Sequence, residues 1–400
     1  MPADHPSAFA GIDWGNFSHE ACIVLPGQPA PLRHTFKHSP AGLRELVSWL
    51  LGHSANETLG IAIEVPHGPV VEAIQEAGFD VFAINPKQLD RFRDRYSPAG
   101  AKDDRRDAFV LATALQTDFD RFTPVPSPDP LTTELRAASR LYDSLTHDLV
   151  EHSNRLWQTL MSSAPQLLTL CKGANQPWFW DLCERVICTG VPRRDWVQRL
   201  LKQYRKRLSA DAVLEVVRAP GLVLPASQAV APLQTGALVP ILRVIHLQRA
   251  KARQHLDVLL AQAGETAAII DSQPGLDVIL TATILAEAGP ALTNADEPVL
   301  RALSGIAPVT RQSGKSHQVV MRHACNLRLR TALRNWAQTA INCEPRSRDI
   351  YDRMRAKGHR HERALRGLAD RLLHRLVACL QTGTRYDPGL WARPVPLASP

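Results

Sequence analysis

Cysteine is scarce in this sequence, and the cysteines are scattered. Seven stand at positions 22, 171, 183, 188, 325, 343 and 379, and no CxxC pair occurs. An odd, dispersed set without paired ligand spacing argues against a disulfide framework and against a structural zinc site. We therefore expect reduced cysteines that are mostly packed in cores.

Long apolar runs are missing as well. We find no stretch of about 18 apolar residues, the length that a membrane-spanning helix needs. The first nine residues, MPADHPSAF, lack the apolar core of a signal peptide. These absences predict a cytoplasmic protein without a membrane partner.

The excess of positive over negative charge is small over the whole chain. Lys plus Arg number 47 and Asp plus Glu 39, a net charge of +8 over 400 residues. The excess is concentrated in residues 301–385, which hold 18 Lys or Arg and 5 Asp or Glu, a net +13, so the remainder nets −5. Such a basic block predicts binding to nucleic-acid phosphates. A solubilising basic surface is the alternative.

Strands and helices alternate over the first 125 residues. Strands are predicted at 9–14, 21–25, 32–36, 59–65 and 81–85, and helices at 41–51, at 69–77, after Pro86 and from about Lys102. The order βββαβαβα, followed by more helix, is that of the ribonuclease-H-like fold, a mixed sheet with helices on both faces.

The pattern changes after the proline cluster at 124–130. Apolar residues from Leu131 to Leu160 recur at spacings of four and three, and a second helix is predicted at 240–263. The two helices favour a helical arm or a dimer contact, and a buried helix pair is the alternative. The predicted domains are an α/β domain at 1–125, a helical coiled-coil region at 126–264 with an insert of unassigned role at 165–210, a mostly α domain at 265–385, and a proline-rich tail at 386–400.

Four carboxylates occupy matched places in the α/β domain. Asp13 ends the first strand in GIDWG, Glu64 lies near the end of the fourth in AIEVP, and Asp104 and Asp107 share a helix face in KDDRRDA. We expect them to converge, and such hard oxygen ligands favour Mg²⁺ or Mn²⁺. Two such ions can clamp the attacking and leaving oxygens of a phosphodiester. Asp103 competes with Asp104 for the ligand role. Taken singly, each residue also has a structural explanation: Asp13 as a turn cap, Glu64 as a surface residue at a strand end, and Asp104 and Asp107 as part of a solvated helix face.

These motifs, with Asn85-Pro86 after the fifth strand, resemble the amino-terminal domain of the DEDD transposases of the insertion-sequence family numbered one hundred and ten. The second half adds to the resemblance. The PGLD at 274–277 is similar to the P-G-x-G of the family's helix–hairpin–helix, with Asp277 in place of the second glycine, which weakens a phosphate-binding interpretation. The segments SGIAP at 304–308 and RQSGK at 311–315 resemble the family's G-L-x-P…S-G-K, whose serine is the nucleophile. The resemblance gives that role to Ser313.

Several alternatives stay open around this serine. Ser304 is the rival nucleophile, although its apolar flanks fit a packed helix end better, and Gln312-Ser313-Gly314 alone is typical of a polar turn. Downstream, NLRLR at 326–330 is similar to the family's N-x-x-L-R, with Cys325 in place of a glycine. The sequence shows no base that would activate Ser313. The residues predicted to bind nucleic acid are Lys102, Arg105, Arg106, Arg311, Lys315, Arg322, Arg328, Arg330 and Arg334.

The resemblance implies a recombinase that excises an insertion sequence and inserts it at a specific site. Ser313 would form a phosphoserine link, and Asp13, Glu64, Asp104 and Asp107 would hold Mg²⁺ or Mn²⁺. The implied partners are donor DNA, target DNA and a structured guide RNA, with a homo-oligomer (a dimer or tetramer) formed through the helical region, at the nucleoid in the cytoplasm. The alternative is a metal-dependent DNA nuclease or Holliday-junction resolvase that uses the same carboxylates without serine chemistry.

Overall fold

The computed structural model describes residues 5–15, 17–54, 58–66, 68–95, 103–126, 129–221, 225–313 and 316–391. The chain divides into two compact units, Met1–Ser127 (unit 1) and Pro128–Pro400 (unit 2). Each unit has hydrophobic clusters of its own.

Unit 1 contains a mixed sheet with helices. Its strands are β1 (Ala8–Trp14), β2 (Ser18–Val24), β3 (Leu32–Lys37), β4 (Leu59–Ile63) and β5 (Asp80–Ala83), and its helices are α1 (Pro40–Ser54), α2 (Pro69–Glu76), α3 (Pro86–Arg93) and α4 (Asp104–Asp118). The strand order is β3-β2-β1-β4-β5. β2 is antiparallel to β1 and β3, whereas β4 is parallel to β1 and β5. The predicted order of elements is confirmed, and the mixed sheet agrees with a ribonuclease-H-like domain.

Side-chain alternation along β1 gives the sheet two buried faces. Ile12 belongs to a cluster that includes Leu46 of α1 and Val70 of α2, whereas Phe9 packs with residues of α4. Gly11 lies on the α4 face, where an added Cβ would be 2.1 Å from the carbonyl oxygen of Ala108. Only a glycine allows α4 to approach β1 this closely, so Gly11 fixes the position of α4 over the strand.

Unit 2 is mostly helical. Its helices are α5 (Pro130–Ser163), α6 (Pro177–Thr189), α7 (Arg194–Gln203), α8 (Ala210–Arg218), α9 (Pro225–Gln262), α10 (Gly264–Asp271), α11 (Val278–Thr293), α12 (Glu297–Leu303), α13 (Leu327–Cys343), α14 (Pro345–Ala356), α15 (His361–Thr382) and α16 (Pro388–Trp391). A hairpin of β6 (Val309–Ser313) and β7 (Ser316–Val320) lies between α12 and α13. Two short 3-10 helices, Phe119–Arg121 in unit 1 and Pro165–Thr169 in unit 2, complete the elements.

The two longest helices, α5 and α9, pack antiparallel. Leu135 near the start of α5 shares a core with Leu259 near the end of α9, and Thr159 near the end of α5 donates a hydrogen bond to Gln234 near the start of α9, at 3.2 Å. The second helix starts at residue 225, earlier than the predicted 240, and includes Pro232 and Pro240. Packing along α5 therefore outweighs the local cost of helix prolines, about 3 kcal/mol each.

The helix α9 also departs from the expectation that the chain has no long apolar stretch. Its best 18-residue window has a mean hydropathy of 1.4 and is 28% buried, so by length and composition alone it is able to cross a membrane. The buried core helix of a soluble protein meets the same criterion. Leu242 and Leu256 are fully buried, one in each of the two cores of unit 2. In this structure α9 therefore contributes side chains to both cores.

The predicted boundary at 264 has no counterpart in the two-unit division. Leu256 of α9 lies in the same hydrophobic cluster as Trp336 of α13 and Leu368 of α15. The insert at 165–210 builds a second cluster around Trp178 and Trp180, both nearly inaccessible to solvent. None of the seven cysteines is in a disulfide, and four of them are buried.

Candidate active site

Two acidic side chains face each other on the central strands of the sheet. Asp13 near the end of β1 is directly opposite Glu20 of β2. Because alternate residues of a strand share a face, Asp13 lies on the same face as Gly11, which is the face that α4 covers. Glu64 follows Ile63, the residue that pairs with Ile12 of β1 in the parallel ladder. Carboxylates of β2, β1 and the segment after β4 are thus brought to one end of the sheet.

The first turn of α4 supplies the other acidic residues. The Asp103 carboxylate caps the helix by accepting a hydrogen bond from the Arg105 backbone N–H at 3.3 Å. Asp104 follows it and is exposed, and Asp107 is buried at 1% exposure. The contact of Ala108 with Gly11 places this turn toward the carboxyl end of β1. Asp103 is thus engaged as the cap of α4, whereas Asp104 is exposed.

Asp107 is held by Arg93, the last residue of α3. Arg93 donates from Nε to Oδ1 and from Nη2 to Oδ2, both at 2.8 Å. Arg93 also donates to Asp90 at 2.5 Å. No sequence pattern indicates this bidentate pair, because the two residues are on different helices and only the tertiary fold brings them together.

Glu20 is a second residue that the sequence interpretation missed. It accepts a hydrogen bond from the Thr35 hydroxyl at 2.7 Å, and the Nε of Arg105 lies 3.8 Å from its carboxylate. The second strand was predicted to start at residue 21, but β2 begins at Ser18, and this places Glu20 in the sheet. The hairpin register, once known, identifies it as the residue opposite Asp13.

The four predicted carboxylates are suitable ligands for a divalent ion by their chemistry, but not by their positions. Carboxylate oxygens are the ligands that Mg²⁺ and Mn²⁺ prefer. Yet within the described ranges, which include all four predicted ligands, no three His, Cys, Asp or Glu side chains are grouped so that they could hold a metal ion. Both oxygens of Asp107 are occupied by Arg93. The residues suit the ion chemically, but their present arrangement does not fit it.

The proposed nucleophile lies on the hairpin of unit 2. Ser313 is the last residue of β6 and pairs with Ser316, the first of β7. Two neighbouring residues, Gln312 and His317, are exposed. The rival Ser304 is fully buried and donates its hydroxyl hydrogen bond to the Leu300 carbonyl at 2.7 Å, as expected of a packed helix end. Lys315, like Lys102, lies outside the described residues.

Both halves of the chain match known families. A family model described as a transposase, the DEDD type of IS110, matches residues 10–165. A second, described as the IS116/IS110/IS902 family of transposases, matches residues 267–352. The first match contains the carboxylates of unit 1, and the second contains the serine hairpin.

Relatives extend these matches over the whole chain. The mini-circle IS117 protein of Streptomyces coelicolor, whose name describes a transposase, is 30% identical over 97% of both chains. The chain belongs to the IS110 family of transposases. The 43.6 kDa protein of insertion element IS110 from the same organism is 26% identical over 95% of both chains. The y4uE protein of Sinorhizobium fredii is 40% identical, but that alignment covers 51% of this chain and 58% of the relative.

Within this IS110-family chain, the arginines predicted to track phosphates make protein contacts. Arg328 forms ion pairs with Asp143 at 2.7 Å and with the buried Glu287 at 2.9 Å. Arg330 donates to backbone carbonyls of Ser304 and Arg322. Arg334 pairs with Glu362, and both side chains are exposed. Of the three, Arg334 has the partner that solvent and a competing phosphate reach most easily.

The loop between α10 and α11, compared above with the family's helix–hairpin–helix, packs onto α13. The Pro274 carbonyl accepts from the Trp336 indole at 3.0 Å, and the Gly275 carbonyl accepts from the Thr339 hydroxyl at 2.5 Å. Asp277, which replaces the family's second glycine, caps α11 by accepting from the Leu280 N–H at 3.0 Å. In this IS110-family member the loop therefore has a structural role in docking α13.

Proposed function

We propose that this transposase excises an insertion sequence from donor DNA and inserts it at a specific site in target DNA. The observation that carries the proposal is the set of carboxylates at one end of the unit 1 sheet, where Asp13 and Glu20 face each other beneath the first turn of α4. A concentration of carboxylates is typical of enzymes that cleave phosphodiesters. Family membership supports the same reaction class.

We assign the nucleophile to Ser313. Its hydroxyl oxygen attacks the phosphorus of a DNA phosphodiester, and the bond from phosphorus to a deoxyribose oxygen breaks. The serine proton passes to a base or to water, and the departing oxygen takes up a proton to become a hydroxyl. A hydroxyl of a second strand then displaces the serine, so the phosphodiester is restored without an external energy source. The exposed neighbours Gln312 and His317 support the assignment because a DNA strand is able to reach this end of the hairpin.

We propose Mg²⁺ or Mn²⁺ as the cofactor and Asp13, Glu64, Asp104 and Asp107 as its ligands. A bound ion would stabilise negative charge on the phosphate oxygens. Asp104 is preferred to Asp103 because Asp103 caps α4. Since the present arrangement does not fit an ion, the proposal requires Arg93 to release Asp107 and the four carboxylates to come closer together.

The proposed partners are donor DNA, target DNA and a structured guide RNA that pairs with both. Base pairing would then select the sequence, while the protein contacts backbone and shape. The net +13 of residues 301–385 supports a polyanionic partner. The site of action in this proposal is the nucleoid, in the cytoplasm.

We infer a dimer or tetramer that forms through α5 and α9. Both helices carry large apolar side chains that unit 2 leaves exposed: Leu141 at 55% and Val150 at 54% on α5, and Leu233 at 76%, Val244 at 57% and Val258 at 55% on α9. Exposed apolar side chains that recur along both helices support association with a second copy of the chain. Sedimentation of the purified protein with Val244→Glu tests this inference, because the variant should dissociate.

The decisive experiment compares Ser313→Ala with Ser316→Ala, the matched change at the opposite hairpin position. End-labelled donor DNA is incubated with protein, guide RNA and Mg²⁺, and covalent protein–DNA adducts are separated on a denaturing gel. We expect Ser313→Ala to abolish both the adduct and strand exchange, whereas Ser316→Ala retains them. Full strand exchange by Ser313→Ala would contradict the serine mechanism and favour a nuclease or resolvase that uses the carboxylates alone. Retained cleavage by Asp13→Asn would contradict the carboxylate assignment.

A further inference from the structure

The insert of unit 2 contains a cleft between α6, α7 and α9. Its volume is about 780 Å³, and the side chains lining it include Asp181, Glu184, Arg185, Trp196, Arg199 and Arg243. Clefts of roughly 300–1,000 Å³ accept groups of the size of a small ligand. None of these residues has a role in the transposition chemistry proposed above.

The two acidic side chains of the cleft, Asp181 and Glu184, form its floor and share one arginine. Arg243 donates from Nη2 to Asp181 at 2.5 Å and to Glu184 at 2.7 Å, and the Tyr204 hydroxyl donates to Asp181 at 2.7 Å. Arg185 and Arg199 also line the cleft, but at Asp181 and Glu184 two carboxylates share one guanidinium, so an anion next to these two side chains would meet net repulsion. A neutral ring with amino groups is favoured instead, because carboxylate oxygens accept hydrogen bonds from amines.

The helix α7 and the turn after it surround this acidic floor with positive charge. Residues 193–207, RRDWVQRLLKQYRKR, contain seven Lys or Arg and one Asp. Arg199 and Lys202 are exposed, and no ion pair engages them among the residues that the structure describes. Trp196 is half-buried at the cleft wall on the same helix.

We propose that this cleft binds an unpaired nucleotide of a single-stranded nucleic-acid segment. The base enters the cleft and stacks on Trp196, its amino groups face the carboxylates of Asp181 and Glu184, and the flanking phosphates contact Arg199 and Lys202. Aromatic stacking beside a basic groove is the general way in which proteins hold single strands. The combination of an acidic floor and a basic rim excludes a free phosphate deep in the cleft and favours a base whose backbone stays outside.

The test measures binding of fluorescein-labelled oligodeoxycytidine and oligocytidine, whose bases carry an amino group, to the full-length protein by anisotropy over a range of salt concentrations. For Arg199→Glu with Lys202→Glu, the slope of log K against log salt should become shallower by about 1.4, because each lost phosphate contact to a single strand contributes about 0.7. Trp196→Leu retains apolar packing and should weaken single-strand binding about tenfold without changing that slope. Comparison of the two oligonucleotides shows whether the natural occupant is RNA or DNA.

A matched double variant, Lys172→Glu with Lys251→Glu, carries the same charge change on exposed residues of unit 2 outside the cleft lining. It should bind single strands within about twofold of wild type, and circular dichroism checks that every variant is folded. Equal losses for this control and the Arg199/Lys202 variant would overturn the proposal. So would a Trp196→Leu effect that is as large on a blunt duplex as on single strands, because base insertion requires an unpaired base.

Discussion

Arg93 and Asp107 form a buried bidentate ion pair that joins α3 to α4, with both hydrogen bonds at 2.8 Å. The Asp107 side chain is 1% exposed and the Arg93 side chain 17%. The hydrogen bond to Asp107 outweighs burial and raises the pKa of the Arg93 guanidinium above its ordinary value. The pair fixes the first turn of α4, and with it Asp104, near the carboxyl end of β1.

Removing the Arg93 charge should destabilise unit 1. Arg93→Met leaves the buried Asp107 carboxylate unpaired, so we expect a loss of about 3 kcal/mol in the local opening free energy of α4. Hydrogen exchange of α4 peptides, followed by mass spectrometry, measures it. The matched variant Arg91→Met changes an exposed arginine of the same helix and should stay within about 0.5 kcal/mol of wild type. Equal protection in the two variants would show that the pair contributes nothing.

The same variant tests the proposed metal site without using catalysis. If Arg93 and a divalent ion compete for Asp107, Arg93→Met should bind Mn²⁺ more tightly than wild type by about tenfold, the scale at which residues around metal ligands act. Isothermal titration calorimetry measures this affinity. Asp107→Asn should abolish the gain in the Arg93→Met background. An unchanged affinity in Arg93→Met would exclude Asp107 from the ligand set.

The order of elements in unit 1 was predictable because each element has a local signal. Alternating or fully apolar runs marked the strands, and Pro40, Pro69 and Pro86 stand at the first position of their helices, where proline is favoured. The start of β2 was misplaced at residue 21 because Ser18, His19 and Glu20 are polar. Their strand character depends on pairing with β1 and β3, which no local pattern encodes.

The end of the sheet at which the candidate carboxylates lie was predictable, but their contacts were not. The sequence positions of Asp13 and Glu64 indicated one end of the sheet, and their register agrees with that interpretation. The Arg93–Asp107 pair and the engagement of Arg328 by Glu287 were not predictable, since both depend on which helices become neighbours. Ion-pair and hydrogen-bond partners that are far apart in the sequence are harder to predict than the secondary structure.

Stability at low pH should depend on Glu287. Burial opposes its ionisation, but the hydrogen bond from Asn326 and the charges of Arg140 and Arg328 outweigh burial, so the pKa of Glu287 lies below its ordinary value. Its contribution is complete above the pKa of an unfolded glutamate, about 4.3, and is lost as pH falls through the lowered folded-state pKa. Glu287→Gln should therefore cost about 3 kcal/mol at neutral pH and show a smaller decline in acid.

A neighbouring carboxylate, Asp143, has the opposite effect on the pH dependence of stability, and its contribution must be distinguished from that of Glu287. Burial raises the pKa of Asp143 despite its ion pair with Arg328, so this group adds stability as pH falls. The two groups share Arg328, and the charge of Glu287 contributes to the raised pKa of Asp143, so urea unfolding across the acid range compares wild type, Glu287→Gln, Asp143→Asn and the double variant. The exposed partner of Arg334 gives the contrast: Glu362→Gln should cost no more than about 1 kcal/mol. Comparable losses for both glutamate variants would refute the assignment of burial as the cause.

Two glycines with the same backbone conformation should respond differently to alanine. Gly275 has φ +87° and Gly358 has φ +82°, so alanine is strained at both, by about 1 kcal/mol. A Cβ at Gly275 would lie 2.6 Å from the backbone nitrogen of Ala340 on α13, whereas a Cβ at Gly358 meets nothing within 4 Å. Gly275→Ala must displace α13 and should cost at least about 3 kcal/mol, at the upper end of overpacking effects, while Gly358→Ala costs only the backbone strain. Urea unfolding measures both values, and their difference gives the energy of the close approach between the α10–α11 loop and α13. Equal costs would mean that this loop does not dock as described, and that its carbonyl contacts with Trp336 and Thr339 are not what positions α13.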